Sequence, residues 1–126
     1  MAFVLDSSVI LANINKEAGG ERLHDFLEGA SISVATYVEV VTRILDAGMS
    51  FERAERLLGA LLLPTIDVSL PIARRAAELR RATRSCGLSM GDRICLATAE
   101  SLDAIAVTAD RNWADLKIGV RVELIR

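Results

Sequence analysis

The chain has 126 residues, enough for one compact domain over 1–126 and too few for a second core. With 52% hydrophobic and 25% charged residues it can fill a packed interior, which argues against a disordered chain. A net charge of −2 argues against holding nucleic acid by bulk electrostatics, so any such role needs locally concentrated cations.

In chain order, Met1-Ala2-Phe3-Val4-Leu5 carries no basic leader or cleavage-like site, so the expectation is a cytoplasmic protein. Phe3-Val4-Leu5 reads as a strand running straight into Asp6. Ile32-Ser33-Val34 is the second strand. Tyr37, Val40, Val41, Ile44 and Leu45 then follow the spacing of one helix face. Thr36 and Glu39 have capping-box spacing, which expects Glu39 in a first turn. Ser50 opens the next helix, and its apolar run from Leu57 to Leu63 is far too short to cross a membrane. Ile66-Asp67-Val68 is the third strand.

Ser69 precedes a helix with Ile72, Ala76, Leu79 and Thr83 on one face. Arg74, Arg75, Arg80, Arg81 and Arg84 crowd the same stretch and read as a solvated face, with Arg74 and Glu78 an i,i+4 pair. Ser89 and Asp92 open a further helix, Ile105-Ala106-Val107 is the fourth strand, and Val120-Arg121-Val122 the fifth. Gly29, Gly48 and Gly87 fall where helices end. Alternating strands and helices expect an α/β fold, a three-layer α/β/α sandwich around a mainly parallel sheet.

Cys86 and Cys95 lack CxxC spacing, and Cys95 reads as a buried thiol. His24 is the only histidine, which all but removes a histidine-based metal site or triad. Gly19-Gly20 fits no phosphate-binding glycine motif.

Ligands of a parallel sheet gather at the carboxyl ends of its strands. Asp6, Glu39, Asp92 and Asp110 all fall there in the expected fold. Each alone has a structural explanation as a cap, an Asx turn or a macrodipole partner. Those explanations do not account for the shared edge. Several carboxylates in one cleft repel unless cations neutralise them, and Mg²⁺ or Mn²⁺ suits oxygen-only ligands. Such ions activate water and stabilise a phosphodiester in displacement. Arg93 and Arg111 adjoin two of the acids and are expected to contact a phosphate backbone.

Four segments carry a family resemblance: Val-Leu-Asp6-Ser-Ser8-Val-Ile-Leu-Ala, Ser-Val-Ala-Thr-Tyr-Val-Glu39-Val-Val, Leu88-Ser-Met-Gly-Asp92-Arg-Ile-Cys-Leu-Ala-Thr-Ala and Ala-Val-Thr108-Ala-Asp110-Arg-Asn-Trp113. In order and spacing they resemble the PIN-domain nucleases, particularly VapC-type toxins of toxin–antitoxin pairs. The resemblance implies a PIN-like sandwich and metal-dependent cleavage of RNA, with Mg²⁺ or Mn²⁺ held by Asp6, Glu39, Asp92 and Asp110. It implies Ser8 and Thr108 hydrogen-bonded behind the ligands, a homodimer and a neutralising antitoxin. Where some members carry a further acid, this chain has Asn112, with Asp115 one turn on. The readings left open beside a toxin are a housekeeping RNA-processing nuclease, a catalytically silent RNA- or protein-binding module, and a metal-dependent phosphatase.

Overall fold

The computed structural model describes residues 1–126. Its strands are β1 (Phe3–Leu5), β2 (Ala30–Ser33), β3 (Thr65–Ile66), β4 (Ile105–Thr108) and β5 (Val122–Leu124). They form one sheet in the order β3-β2-β1-β4-β5, and every pairing is parallel. The helices are α1 (Ser7–Ile14), α2 (Leu23–Phe26), α3 (Val34–Asp46), α4 (Phe51–Gly59), α5 (Leu70–Glu78), α6 (Arg80–Thr83) and α7 (Met90–Ser101). Single 3₁₀ turns occupy Gly20–Arg22, Arg84–Cys86 and Arg111–Trp113.

Strand alternation divides the core between the two sheet faces. Leu5 and Val107 point to one side, where they meet Val9 and Ile10 of α1, Val40 and Ile44 of α3 and Leu58 of α4. Val4 and Ala106 point to the other, against Ile72 and Ala76 of α5 and Cys95, Leu96 and Ala99 of α7. The expected three-layer α/β/α sandwich is therefore what forms. Truncating a fully buried Leu5 or Leu96 to alanine is expected to cost about 2–5 kcal/mol. No helix is long and apolar enough to cross a membrane.

Serine starts each long helix after the first. Ser33, Ser50, Ser69 and Ser89 accept hydrogen bonds from the backbone N–H groups of Ala35, Arg53, Ile72 and Asp92. The first of these corrects the sequence reading. Val34 is already helical, so Thr36 lies inside α3 and Glu39 is its sixth residue, in the second turn. Leu45, assigned to the apolar face, is 38% exposed.

Strand limits move by up to two residues because pairing decides them. The last β2–β3 pair is Ser33 with Ile66, leaving Asp67 and Val68 beyond the sheet, and Ala106 pairs with Val122, so Val120 precedes β5. Gly29, Gly48 and Gly87 all take positive φ at the expected helix ends. Glu78 pairs with Arg75 rather than Arg74, and Arg75 also holds Glu100 at 2.9 Å.

Candidate active site

Parallel strands bring the segments that follow β1, β2 and β4 to one edge of the sheet. Asp6 leaves β1 there, and its backbone N–H donates to the Val107 carbonyl of neighbouring β4 at 2.8 Å. It occupies the cap position of α1 in extended conformation, yet its side chain caps nothing. The side chain is instead buried, at 3% exposure.

One oxygen of Asp6 is braced. Oδ2 accepts from the Ser8 hydroxyl at 2.6 Å and from the Thr108 hydroxyl at 2.9 Å. Each hydroxyl has one proton and gives it to Asp6, so their 3.2 Å approach to each other is a packing contact. Their lone pairs are also used: Ser8 accepts from the Ala109 N–H at 2.9 Å, and Thr108 from the Asp110 N–H at 3.0 Å. This brace fixes the carboxylate rotamer. The other oxygen, Oδ1, is buried with no partner.

Glu39 and Asp92 flank it. The Ser7 hydroxyl donates to Glu39 Oε2 at 3.5 Å. Gly91 is shaped by that carboxylate: a Cβ on it would stand 2.7 Å from Glu39 Cδ. A side chain at this position would push the Glu39 carboxylate away from the first turn of α7. Asp92 completes the capping box, its Oδ2 accepting from the Ser89 N–H at 2.9 Å while Asp92 N–H donates to Ser89 Oγ at 3.1 Å. The box uses Oδ2 and leaves Oδ1 outside it.

The three acids feel one another. Burial raises the Asp6 pKa above its ordinary 3.8, and the charge of Asp92 adds to this, while the Ser8 and Thr108 hydroxyls pull it down. Burial likewise raises Glu39 above 4.5, helped by Asp6 and Asp92 and opposed by the Ser7 hydroxyl and the Arg43 charge. Behind them Cys95 is fully buried, and burial with the three nearby acids pushes its thiol well above the ordinary value. It is a neutral packing group, as the sequence suggested.

Asp110 stands apart from this trio. It caps the turn Arg111–Trp113, its Oδ1 accepting from the Asn112 N–H at 2.9 Å, and its charge is not among those raising Asp6 or Glu39. Its link to them is the Thr108 hydroxyl. Arg111 is exposed and free of ion pairs, whereas Arg93 donates to the Ala76 carbonyl at 2.9 Å and so pins α7 to α5. Trp113 is a core residue at 1% exposure, and Asp115 is exposed. Sequence reasoning passed over Ser7, Gly91 and Arg43. The doubled serine after Asp6 and the glycine before Asp92 were the available signals.

A hard divalent cation fits this donor set. The donors are carboxylate oxygens, one of them buried and unpartnered, with no histidine or ionised thiol among them. They do not close into a ready-made cage of three ligands. Mg²⁺ keeps several waters and takes only one or two carboxylates, whereas a closed structural zinc site needs four protein ligands.

A trough leads away from the acids on the α1–α3 side. A hollow of about 240 Å³ joins Ser7 and Glu39 to Leu11 and Arg43. The same Leu11 and Arg43 line a hollow of about 590 Å³ with Ile14, Ile44, Met49 and Arg53.

Known proteins place this architecture. The PIN domain family model matches residues 3–119. No curated protein matches in sequence. Among solved structures, VapBC2 of Rickettsia felis bound to a promoter DNA fragment is similar over 98% of each chain, with 20% identity and a TM-score of 0.76. DNA-bound VapBC of Salmonella typhimurium is similar over 100% of this chain and 99% of that one, at 21% identity and a TM-score of 0.76. VapBC-5 of Mycobacterium tuberculosis, a toxin–antitoxin system, is similar over 99% and 98% at 25% identity and a TM-score of 0.64.

Proposed function

The chain belongs to the PIN-domain family, and from that premise we propose that it is a divalent-metal-dependent endoribonuclease acting as the toxin of a toxin–antitoxin pair. The observation that carries the reading is Asp6: a buried carboxylate with one oxygen braced by two hydroxyls, the other unpartnered, and two further acids beside it. Burying a carboxylate oxygen without a partner is costly, and a cation bound at this edge removes that cost.

Asp6 and Asp92 are the principal ligands in this reading, with Glu39 beside them and Asp110 at the margin, joined to Asp6 through the Thr108 hydroxyl. Bound Mg²⁺ or Mn²⁺ supplies Lewis acidity and lowers the pKa of water at the site. Ser8 and Thr108 hold Asp6 in one rotamer, so its free oxygen is preorganised. Glu39 Oε1, the oxygen not engaged by Ser7, takes the proton of the attacking water. Water oxygen bonds to phosphorus, the bond from phosphorus to the 3′ oxygen breaks, and that oxygen leaves as a hydroxyl after protonation by solvent. The products are a 5′-phosphate and a 3′-hydroxyl. Arg111, exposed beside Asp110, contacts the RNA backbone.

The partner is an antitoxin segment laid in the trough of Leu11, Ile44 and Met49, whose end reaches Glu39. Exposed Phe51 and Leu57 on α4 favour a homodimer beside it. The relatives support this partner, since the solved VapBC structures are toxin–antitoxin assemblies. The proposed compartment is the cytoplasm, where RNA is the available substrate.

The test is incubation of a cellular RNA pool with purified chain in Mg²⁺, Mn²⁺ or EDTA. Fragments that need metal and carry 5′-phosphates support the reading. RNA bound but uncut in every metal would return the chain to the silent binding modules, and turnover of phosphate monoesters alone to the phosphatases.

A further inference from the structure

Residues 70–93 carry six arginines against only two acids, Glu78 and Asp92, in a chain whose net charge is −2. The surplus sits in one place. Arg80, Arg81 and Arg84 are all exposed, and none of the chain's ion pairs includes them. Arg75, by contrast, is bound to Glu78 and Glu100, and Arg93 to the Ala76 carbonyl.

Helix packing decides where the free arginines lie. Arg93 near the start of α7 touches Ala76 near the end of α5, while Ser69 and Pro71 at the start of α5 line one hollow with Ser101 and Leu102 at the end of α7. The two helices are therefore antiparallel, and α5 climbs toward the end where α7 begins. Leu79 is itself αR and accepts from the N–H and hydroxyl of Thr83, so α6 continues that climb. Buried Leu79 and Thr83 face inward, with Leu79 and Leu88 in one core cluster. Arg80, Arg81 and Arg84 are left outward, on an overhang past the first turn of α7. That turn holds Asp92.

We infer that this overhang is a phosphate-gripping bank, and that Arg80, Arg81 and Arg84 hold backbone phosphates of single-stranded RNA beside the bond being cut. The inference rests on the nuclease reading only for the identity of the chain gripped. Arg80 and Arg84 are i and i+4, so their Cβ atoms are about 5–6 Å apart on one face, a spacing that presents both guanidiniums to one extended polyanion. An acidic protein surface matches the arginines equally but would press its carboxylates toward Asp92 and Glu39. A phosphodiester brings its own counter-cations to those acids. The bank also resolves how a chain of net negative charge holds RNA: the cations needed are gathered within reach of the acids.

The experiment compares wild type, the triple variant Arg80→Gln/Arg81→Gln/Arg84→Gln and a control, Arg74→Gln/Arg121→Gln. Arg74 lies inside α5, six residues before Arg80, and Arg121 leads into the N-terminal end of β5, whereas the acids follow the C-terminal ends of the strands. Binding of a labelled single-stranded oligoribonucleotide is measured in EDTA across roughly 50–200 mM salt, where each phosphate contact contributes about 0.7 to the log–log slope. Thermal melts confirm that these surface variants fold. The triple variant should lose about 2 from the slope and roughly tenfold to a hundredfold in affinity at low salt, with the control close to wild type. Unchanged binding in the triple variant, equal loss in the control, or no RNA binding by wild type overturns the inference. Cleavage of the same RNA in Mg²⁺ separates the two readings. Normal cleavage with arginine-independent binding sinks the bank alone, and arginine-dependent binding without cleavage sinks the nuclease alone.

Discussion

Asp6 and Asp110 follow adjacent parallel strands, β1 and β4, and both depend on the hydroxyl of Thr108, which donates to one carboxylate and accepts from the other residue's N–H. Their environments diverge completely. Asp6 is buried, braced on one oxygen and orphaned on the other, in the field of Asp92. Asp110 lies nearer solvent and uses its side chain to cap a 3₁₀ turn. A strand-end acid is thus an ordinary cap or a poised ligand according to which hydroxyls fill its hydrogen bonds and how much solvent it keeps. Position alone does not decide between them.

The sharpest way to break the comparison is to neutralise each acid in turn. Asp6→Asn is expected to lower the cleavage rate roughly 10³-fold or more without lowering the melting temperature, because a buried like charge is removed. Asp110→Asn should cost less than about tenfold. Equal losses in the two variants, read from single-turnover kinetics, would mean the acids are equivalent ligands.

Gly91→Ala comes next. The added methyl overlaps the Glu39 carboxylate, and a displacement near 1 Å is expected to slow cleavage about 10²-fold. Wild-type rates would show that Glu39 is not held where the structure puts it. Thr108→Val keeps the shape and deletes the brace, so Mn²⁺ affinity should fall by roughly tenfold to a hundredfold. Ser8→Ala should act in the same direction, and affinity unmoved by both would make the brace mere packing.

A smaller effect follows from protonation. Asp6 and Glu39 bind their protons more tightly folded than unfolded, so protonation favours the fold. Without divalent cation, their part of the stability is highest below the ordinary values of 3.8 and 4.5 and falls as pH rises through the raised ones. Denaturant titrations of wild type against Asp6→Asn across that window isolate the effect. The gap should widen with pH and close when Mg²⁺ is added. A gap that narrows with rising pH would reverse the sign of the burial argument.

Much of this was legible in the residues. Strand runs ending in Asp6 and just before Asp110 put both acids at one edge, and Ser89 with Asp92 announced its helix start. What stayed hidden depended on packing between distant segments. Ser33 serves as both strand residue and helix cap, so the cap expected at Thr36 does not form and Glu39 sits three residues deeper in α3. Arg93 reads as a free cation until α5 lies beside it and its Ala76 carbonyl accepts the guanidinium. The bank of Arg80, Arg81 and Arg84 likewise exists only once the α5–α7 register is known. In sequence it is indistinguishable from a solvated face.

The central claim is that the unfinished acid edge around Asp6 is completed by a divalent cation. Calorimetric titration of Mn²⁺ into metal-free wild type, beside Asp6→Asn, tests it most directly. The expected result is saturable binding in wild type that weakens at least tenfold or so in the variant. Binding absent from wild type, or equal in both proteins, would contradict it.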